Sequence, residues 1–162
     1  MKNKQVKTSN SQRGFAMLEV MLAVVIIAIA SFGIYKLFSQ STDRSNADTI
    51  ETSIHQVAAA VNQFATAKAA APAGLDDLIG YVNSDLLDCS GSAGGDTCTG
   101  IKSYYGDISF TKGADSTVFN AFMLTLPAKV PANVANQIKA DLSPLAKGEM
   151  KDSQLTLTFP AS

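Results

Sequence analysis

Apolar residues follow three different rhythms along this chain. From Phe15 to Tyr35 they are almost unbroken, and twenty-one residues carry one charge, Glu19. From Ala47 onward they recur every three or four positions, at Ala47, Ile50, Ile54, Val57, Val61 and Phe64. Asp48, Glu51, Gln56, Asn62 and Gln63 lie between them, so the segment reads as an amphipathic helix with one apolar stripe and a wet side. Good helix formers continue to Ala71, and Pro72–Ala73–Gly74 stops them. No proline interrupts Phe15–Ala71, so the pattern predicts a single helix over 15–71, about 85 Å long. Its first part, 15–35, is apolar all round and matches the length of about 20 residues that a membrane span needs. Its second part has one face to bury against its own domain. Gly33 and the polar stretch Ser39–Asn46 are its expected weak points.

The third rhythm is alternation. Residues 72–102 read first as a loop region with a short helix, Asp76–Leu87, carrying Leu75, Leu78, Ile79, Val82 and Leu86. Asp76 and Asp77 suit the start of that helix. Ser90–Thr97 is rich in glycine and serine and reads as an exposed tip. Over residues 103–162 the period becomes two. In Ser103–Thr111, Tyr104, Gly106, Ile108 and Phe110 alternate with polar neighbours and Tyr105. Lys112–Ser116 reads as a turn with Gly113, and Thr117–Leu126 is apolar enough for a central strand. Pro131 opens a helix with Val134, Ile138 and Leu142 on one face. After a turn around Gly148, Leu155–Phe159 alternates cleanly. Three strands and a long N-terminal helix predict an α+β fold in which a small antiparallel sheet covers the helix.

Composition changes this picture in two places. The chain of 162 residues has thirteen basic and fourteen acidic side chains, a net charge of −1. Lys2, Lys4, Lys7 and Arg13 are the only charges before Phe15, so nine basic residues face fourteen acidic ones from there on, a balance of −5. That argues against nucleic acid as a partner, which needs a basic face. The four leading cations also place the N-terminus in the cytoplasm and the remainder outside. Cys89 and Cys98, close in sequence, are then expected to join in a disulfide, with two free thiols in a reducing compartment as the alternative. The loop is short, so its chain-entropy contribution is at most roughly 3 kcal/mol. A metal site is not expected: His55 and two cysteines fall short of a zinc ligand set, and Asp76, Asp77, Asp85, Asp88 and Asp96 lack the spacing of a calcium loop. Lys36 and Arg44 read as solvated charges, or as partners for Asp43 and Asp48 of a neighbouring chain.

Glu19 is the candidate functional residue of the apolar segment. An ionised group in hydrocarbon costs on the order of 2.5–3.5 kcal/mol and is by default functional. Glu19 sits four residues, about 6 Å of helix rise, beyond Phe15. If the chain is cut between Gly14 and Phe15, Phe15 gains an α-amino group that is protonated at neutral pH. Glu19 can pair with that amine, its own or a neighbour's, and pairing across subunits makes apolar helices cohere in register. An ordinary signal peptide, with Ala28–Ile29–Ala30 as its cleavage pattern, and a plain signal anchor are the rival readings; neither has a use for Glu19.

Gly14 before Phe15, Glu19 four residues on, and the run VMLAVVIIAIASFGIY resemble the N-terminus of a type IV prepilin. The resemblance implies removal of residues 1–14 by a prepilin peptidase cutting after Gly14. It also implies N-methylation of Phe15 and a role for Glu19 in subunit registration. It implies a pilin-like fold with 15–35 as membrane anchor and later filament core, no cofactor, and copies of the chain as principal partners. The assembly machinery of the bacterial inner membrane is the other implied partner, with the inner membrane and then an extracellular pilus as locations. Ala16 departs from the threonine often found there. Lys36 stands where many pilins have a mid-helix proline. FMLTLPAKVPANVANQIKADL, a strand, Val-Pro and a helix, resembles the C-terminal half of type IVb pilins. The short leader and Phe15 are instead more usual in type IVa, and the C-terminal region lacks the family's usual cysteines.

No catalytic constellation is legible: His55 is the only histidine, and no nucleophile–base pair or phosphate loop can be read. The function expected is a structural subunit of a type IV pilus. A type II secretion pseudopilin and an ordinary secreted or anchored binding domain cut after Ala30 are the alternatives.

Overall fold

A computed structural model describes residues 11–90, 97–113 and 121–159, with side chains from Met17 onward. The fold is α+β, as the sequence predicts. Helix α1 runs over Ser11–Lys68 without a break. The chain divides into two compact units at Thr42/Asp43, and α1 contributes to both. In the first unit every described side chain, Met17 to Thr42, is exposed.

The second unit holds the core. The predicted stripe is buried at Ala47, Ile50, Ile54, Val57 and Val61, with Phe64 half-buried and Ala60 added to the set. Each of these aliphatic side chains is worth about 1.5–3 kcal/mol of transfer free energy when fully covered, so the stripe anchors this half of α1. It shares one continuous cluster with Leu75, Leu78, Ile108, Leu124, Ile138, Leu155 and Leu157. The helix stops at Lys68, three residues earlier than expected, because Ala69 turns left-handed at φ 50°.

A four-stranded antiparallel sheet is built from β3 (Ser109–Lys112), β4 (Phe122–Thr125), β5 (Lys147–Lys151) and β6 (Gln154–Phe159), in the order β3-β4-β6-β5. Helix α2 (Ala132–Asp141) follows β4, with Pro131 at its N-cap as anticipated. Val134, Ile138 and Leu142 are buried. The alternation of β6 holds: Leu155, Leu157 and Phe159 point into the core, and Phe159 and Phe122 stack with ring centroids 4.3 Å apart. A separate antiparallel hairpin, β1 (Leu87–Ser90) with β2 (Thr97–Ile101), precedes the sheet and touches it through the Ile101–Ile108 bridge.

Four sequence expectations are corrected. The helix over Asp76–Leu87 is instead two short 3-10 turns, Leu75–Leu78 and Ser84–Leu86, followed by the start of β1. Gly80, at φ +91°, breaks it, and Asn83 then caps a new turn by accepting from the Asp85 amide. The strand expected over Ser103–Thr111 shrinks to its second half. Its first half is a turn closed by the Gly106 amide on the Ser103 carbonyl, with Gly106 at φ +121°. Gly148 lies inside a strand, β5, and the turn is Asp152–Ser153, whose φ values of 49° and 65° suit a two-residue hairpin loop. The strand expected over Thr117–Leu126 is observed at Phe122–Thr125, and its residues 117–120 lie outside the described residues, as does most of the expected turn before it. The sheet therefore has four strands where the pattern predicts three.

Candidate functional site

The candidate site is the apolar first unit, built on the unbroken helix from Ser11 to Thr42. Alanines and long aliphatic side chains without proline favour that conformation. Gly14 and Phe15 both fall within α1, whose first residue is Ser11, so the expected cut lies inside helical backbone. The side chains at these two positions, and all of residues 1–10, lie outside the described residues. Glu19 is described. It stands on the helix one turn beyond Phe15 and is exposed, and among the described residues none pairs with it. Around it, Met17, Leu18, Val20, Met21 and Leu22 are more than half exposed. The helix as a whole contains a stretch long and apolar enough to cross a membrane. An ionised carboxylate within an apolar, membrane-length segment is by default a functional group that calls for a partner.

The polar residues at the junction behave otherwise. Lys36 and Arg44 are exposed, as expected of solvated charges. Asp43 is instead committed within its own chain. It accepts from Asn133 Nδ2 at 2.9 Å and from the Tyr105 hydroxyl at 3.4 Å, while Asn46 Nδ2 donates to that same hydroxyl at 3.3 Å. These bonds tie the first turn of α1 in the second unit to α2 and to the turn before β3. Sequence reasoning misses this set because its members lie up to ninety positions apart.

Cys89 and Cys98 are joined in a disulfide, directly opposite one another across β1 and β2. The tip between them, residues 91–96, lies outside the described residues. Asp76 accepts from the Cys98 amide and Asp77 from the Ala73 amide, so both carboxylates hold loop backbone. His55 is exposed on α1.

Glu51 corrects the reading of the stripe. The pattern puts it on the wet side, but it is half-buried. Burial, the Asp141 carboxylate beside it and Asp48 one turn away push its carboxyl up to about 7. A signal is present in the sequence: Glu51 is four residues after Ala47 and three before Ile54, which places it beside the buried stripe.

Residues 9–35 match the family model described as the prokaryotic N-terminal methylation motif. The chain therefore carries the prepilin signature, in the segment where Gly14, Phe15 and Glu19 stand. No curated protein and no solved structure matches the chain.

Proposed function

We propose that the chain is a structural subunit of a type IV pilus, cut after Gly14, N-methylated on Phe15 and polymerised into a helical surface filament. The matched motif supports a prepilin-processed, pilin- or pseudopilin-like protein, and motif and apolar helix together support membrane anchoring. One observation carries the pilus reading: an apolar helix, exposed at every described side chain from Met17 to Thr42, that bears one carboxylate, Glu19, four residues after the proposed new terminus.

The mechanism follows from charge and surface. Before cutting, the helix sits in the membrane. Cutting creates a cationic amine on Phe15. A neighbouring copy's Glu19 accepts it, since a charge left alone among apolar helices costs several kcal/mol. Lateral burial of Met17, Leu22, Ile26 and their neighbours supplies cohesion, and the ion pair supplies register. A head-to-tail contact of this kind does not close, so copies add without limit as a helical polymer.

Intact mass of the mature chain tests the processing. A methylated Phe15 start is expected; a start at Ser31, or an uncut chain, overturns the reading in favour of an ordinary secreted or anchored domain. Electron microscopy of cells expressing the chain then separates surface filaments from a short secretion pseudopilus.

A further inference from the structure

A polar groove lies in the second unit, between α1 and the turn that leads into β1. One wall is α1, which contributes Thr49, Thr52, Ser53 and Gln56. The other is formed by Asn83, Asp85 and Leu86. Its volume is about 380 Å³, inside the range of about 300–1,000 Å³ that small-molecule sites occupy. Positions 49 to 56 cover about 10 Å of helix rise, so the wall on α1 extends over two turns.

The hydrogen bonds of the lining decide what fits. Thr49, Thr52 and Ser53 each donate their hydroxyl proton one turn back, to the carbonyls of Ser45, Asp48 and Thr49, at 2.8, 2.8 and 2.9 Å. Each hydroxyl oxygen keeps lone pairs and has no proton left to offer, so all three face a ligand as acceptors. Asp85 adds a carboxylate, which is exposed and makes no ion pair among the described residues. The Asn83 side-chain oxygen is already taken by the Asp85 amide. Lys102 bonds the Leu86 carbonyl only through its backbone amide. Acceptors therefore outnumber donors, and the one charged side chain of the lining is acidic. An anion would meet repulsion there. Leu86, half-buried, adds an apolar surface on which methylene groups can lie.

We infer that this groove binds a primary alkylammonium, an –NH₃⁺ group on a methylene stem. Such a group has three donors and no acceptor, the complement of the lining. Its bond to the Asp85 carboxylate is charge-assisted, and its stem lies against Leu86. A free diamine and a lysine side chain share this chemistry. The site lies wholly within the second unit, so it stands whether or not the chain forms a filament.

The test is an NMR titration of the full chain in nonionic detergent at fixed ionic strength. Cadaverine, Nα-acetyl-lysine N-methylamide and glutarate are added separately. The two ammonium compounds are expected to give saturable shifts at Thr49, Thr52, Ser53, Gln56 and Asn83, and glutarate none. Tighter binding of cadaverine identifies a free diamine as the ligand; tighter binding of the lysine derivative identifies a side chain of another protein. Asp85→Asn should weaken binding about tenfold or more. It keeps the turn, because the Asn83 cap uses the Asp85 backbone amide. Thr52→Val, which removes one acceptor, should weaken it about threefold. Asp152→Asn removes the same charge on the β5–β6 turn, outside the groove, and should leave binding unchanged. Equal weakening by Asp85→Asn and Asp152→Asn means diffuse charge attraction only and overturns the inference. So do shifts with glutarate that match those with cadaverine, or the absence of saturable shifts at the groove with either ammonium compound at millimolar concentration.

Discussion

At the scale of single residues, the chain depends on what a few positions lack or carry. Glu19 carries a charge that nothing described in its own chain satisfies. Glu19→Ala is expected to leave processing intact and cut filament yield at least tenfold, scored by mature mass and by sheared filament mass. Normal yield would remove the register role. Gly14→Leu is expected to keep the leader on, seen directly as an unprocessed mass. Gly100 is needed for the space it leaves: a Cβ there would stand 2.7 Å from Asp107 Cβ and 3.2 Å from the Ile108 carbonyl oxygen. Gly100→Ala should therefore push β2 off the start of β3 and cost about 1–3 kcal/mol in denaturant unfolding.

At the scale of elements, legibility followed pattern length. The stripe of α1 repeats over five turns, and its buried set emerges almost residue for residue. β6 declares itself by strict alternation. The hairpin β1–β2 is not legible in the sequence because LDCS and TCTGI, at four and five residues, are too short for a period of two to stand out. Its pairing comes from the disulfide, from backbone bonds and from Asp76 holding the Cys98 amide. β5, KGEMK, is an edge strand with lysine at both ends, which guards it against further pairing and erases the apolar signal. Glu51 escapes the pattern because a residue flanking a stripe is wet or dry according to what packs there, and on this helix α2 does. Converting Cys89 and Cys98 to serine is expected to lower stability by about 2–3 kcal/mol, the loop-entropy contribution for so short a loop. The loss should appear in thermal melts of the second unit's signal, with the helix content of α1 retained below the transition.

At the scale of the whole molecule, two units divide the work. One exposes its apolar side chains and the other buries them, so the purified full chain should need detergent or its own copies to remain dispersed. Proton linkage belongs to the second unit. Glu51 is raised from 4.5 to about 7, so the folded chain holds a proton that the unfolded chain has released. Its contribution to stability is therefore greatest below about 4.5, declines as pH rises through about 7 and is flat beyond. The difference in melting temperature between the unaltered chain and Glu51→Gln, followed from pH 4 to pH 9, isolates that contribution; a difference that stays constant across the range would contradict the linkage.

The tyrosines offer an optical consequence. The chain has four and no tryptophan, so no indole captures their excitation or masks their emission. Tyr35 is bare on the apolar helix, and Tyr104 is exposed with its ring edge-on to Tyr105 at 5.1 Å. Tyr81 meets Phe64 of α1 edge-on at 5.7 Å, and Tyr105 bonds Asp43 and Asn46. Replacing them one at a time with phenylalanine separates the emission of Tyr35 and of Tyr81 from that of the Tyr104–Tyr105 pair, and Tyr35 alone among them should brighten and shift in lifetime when copies pack together.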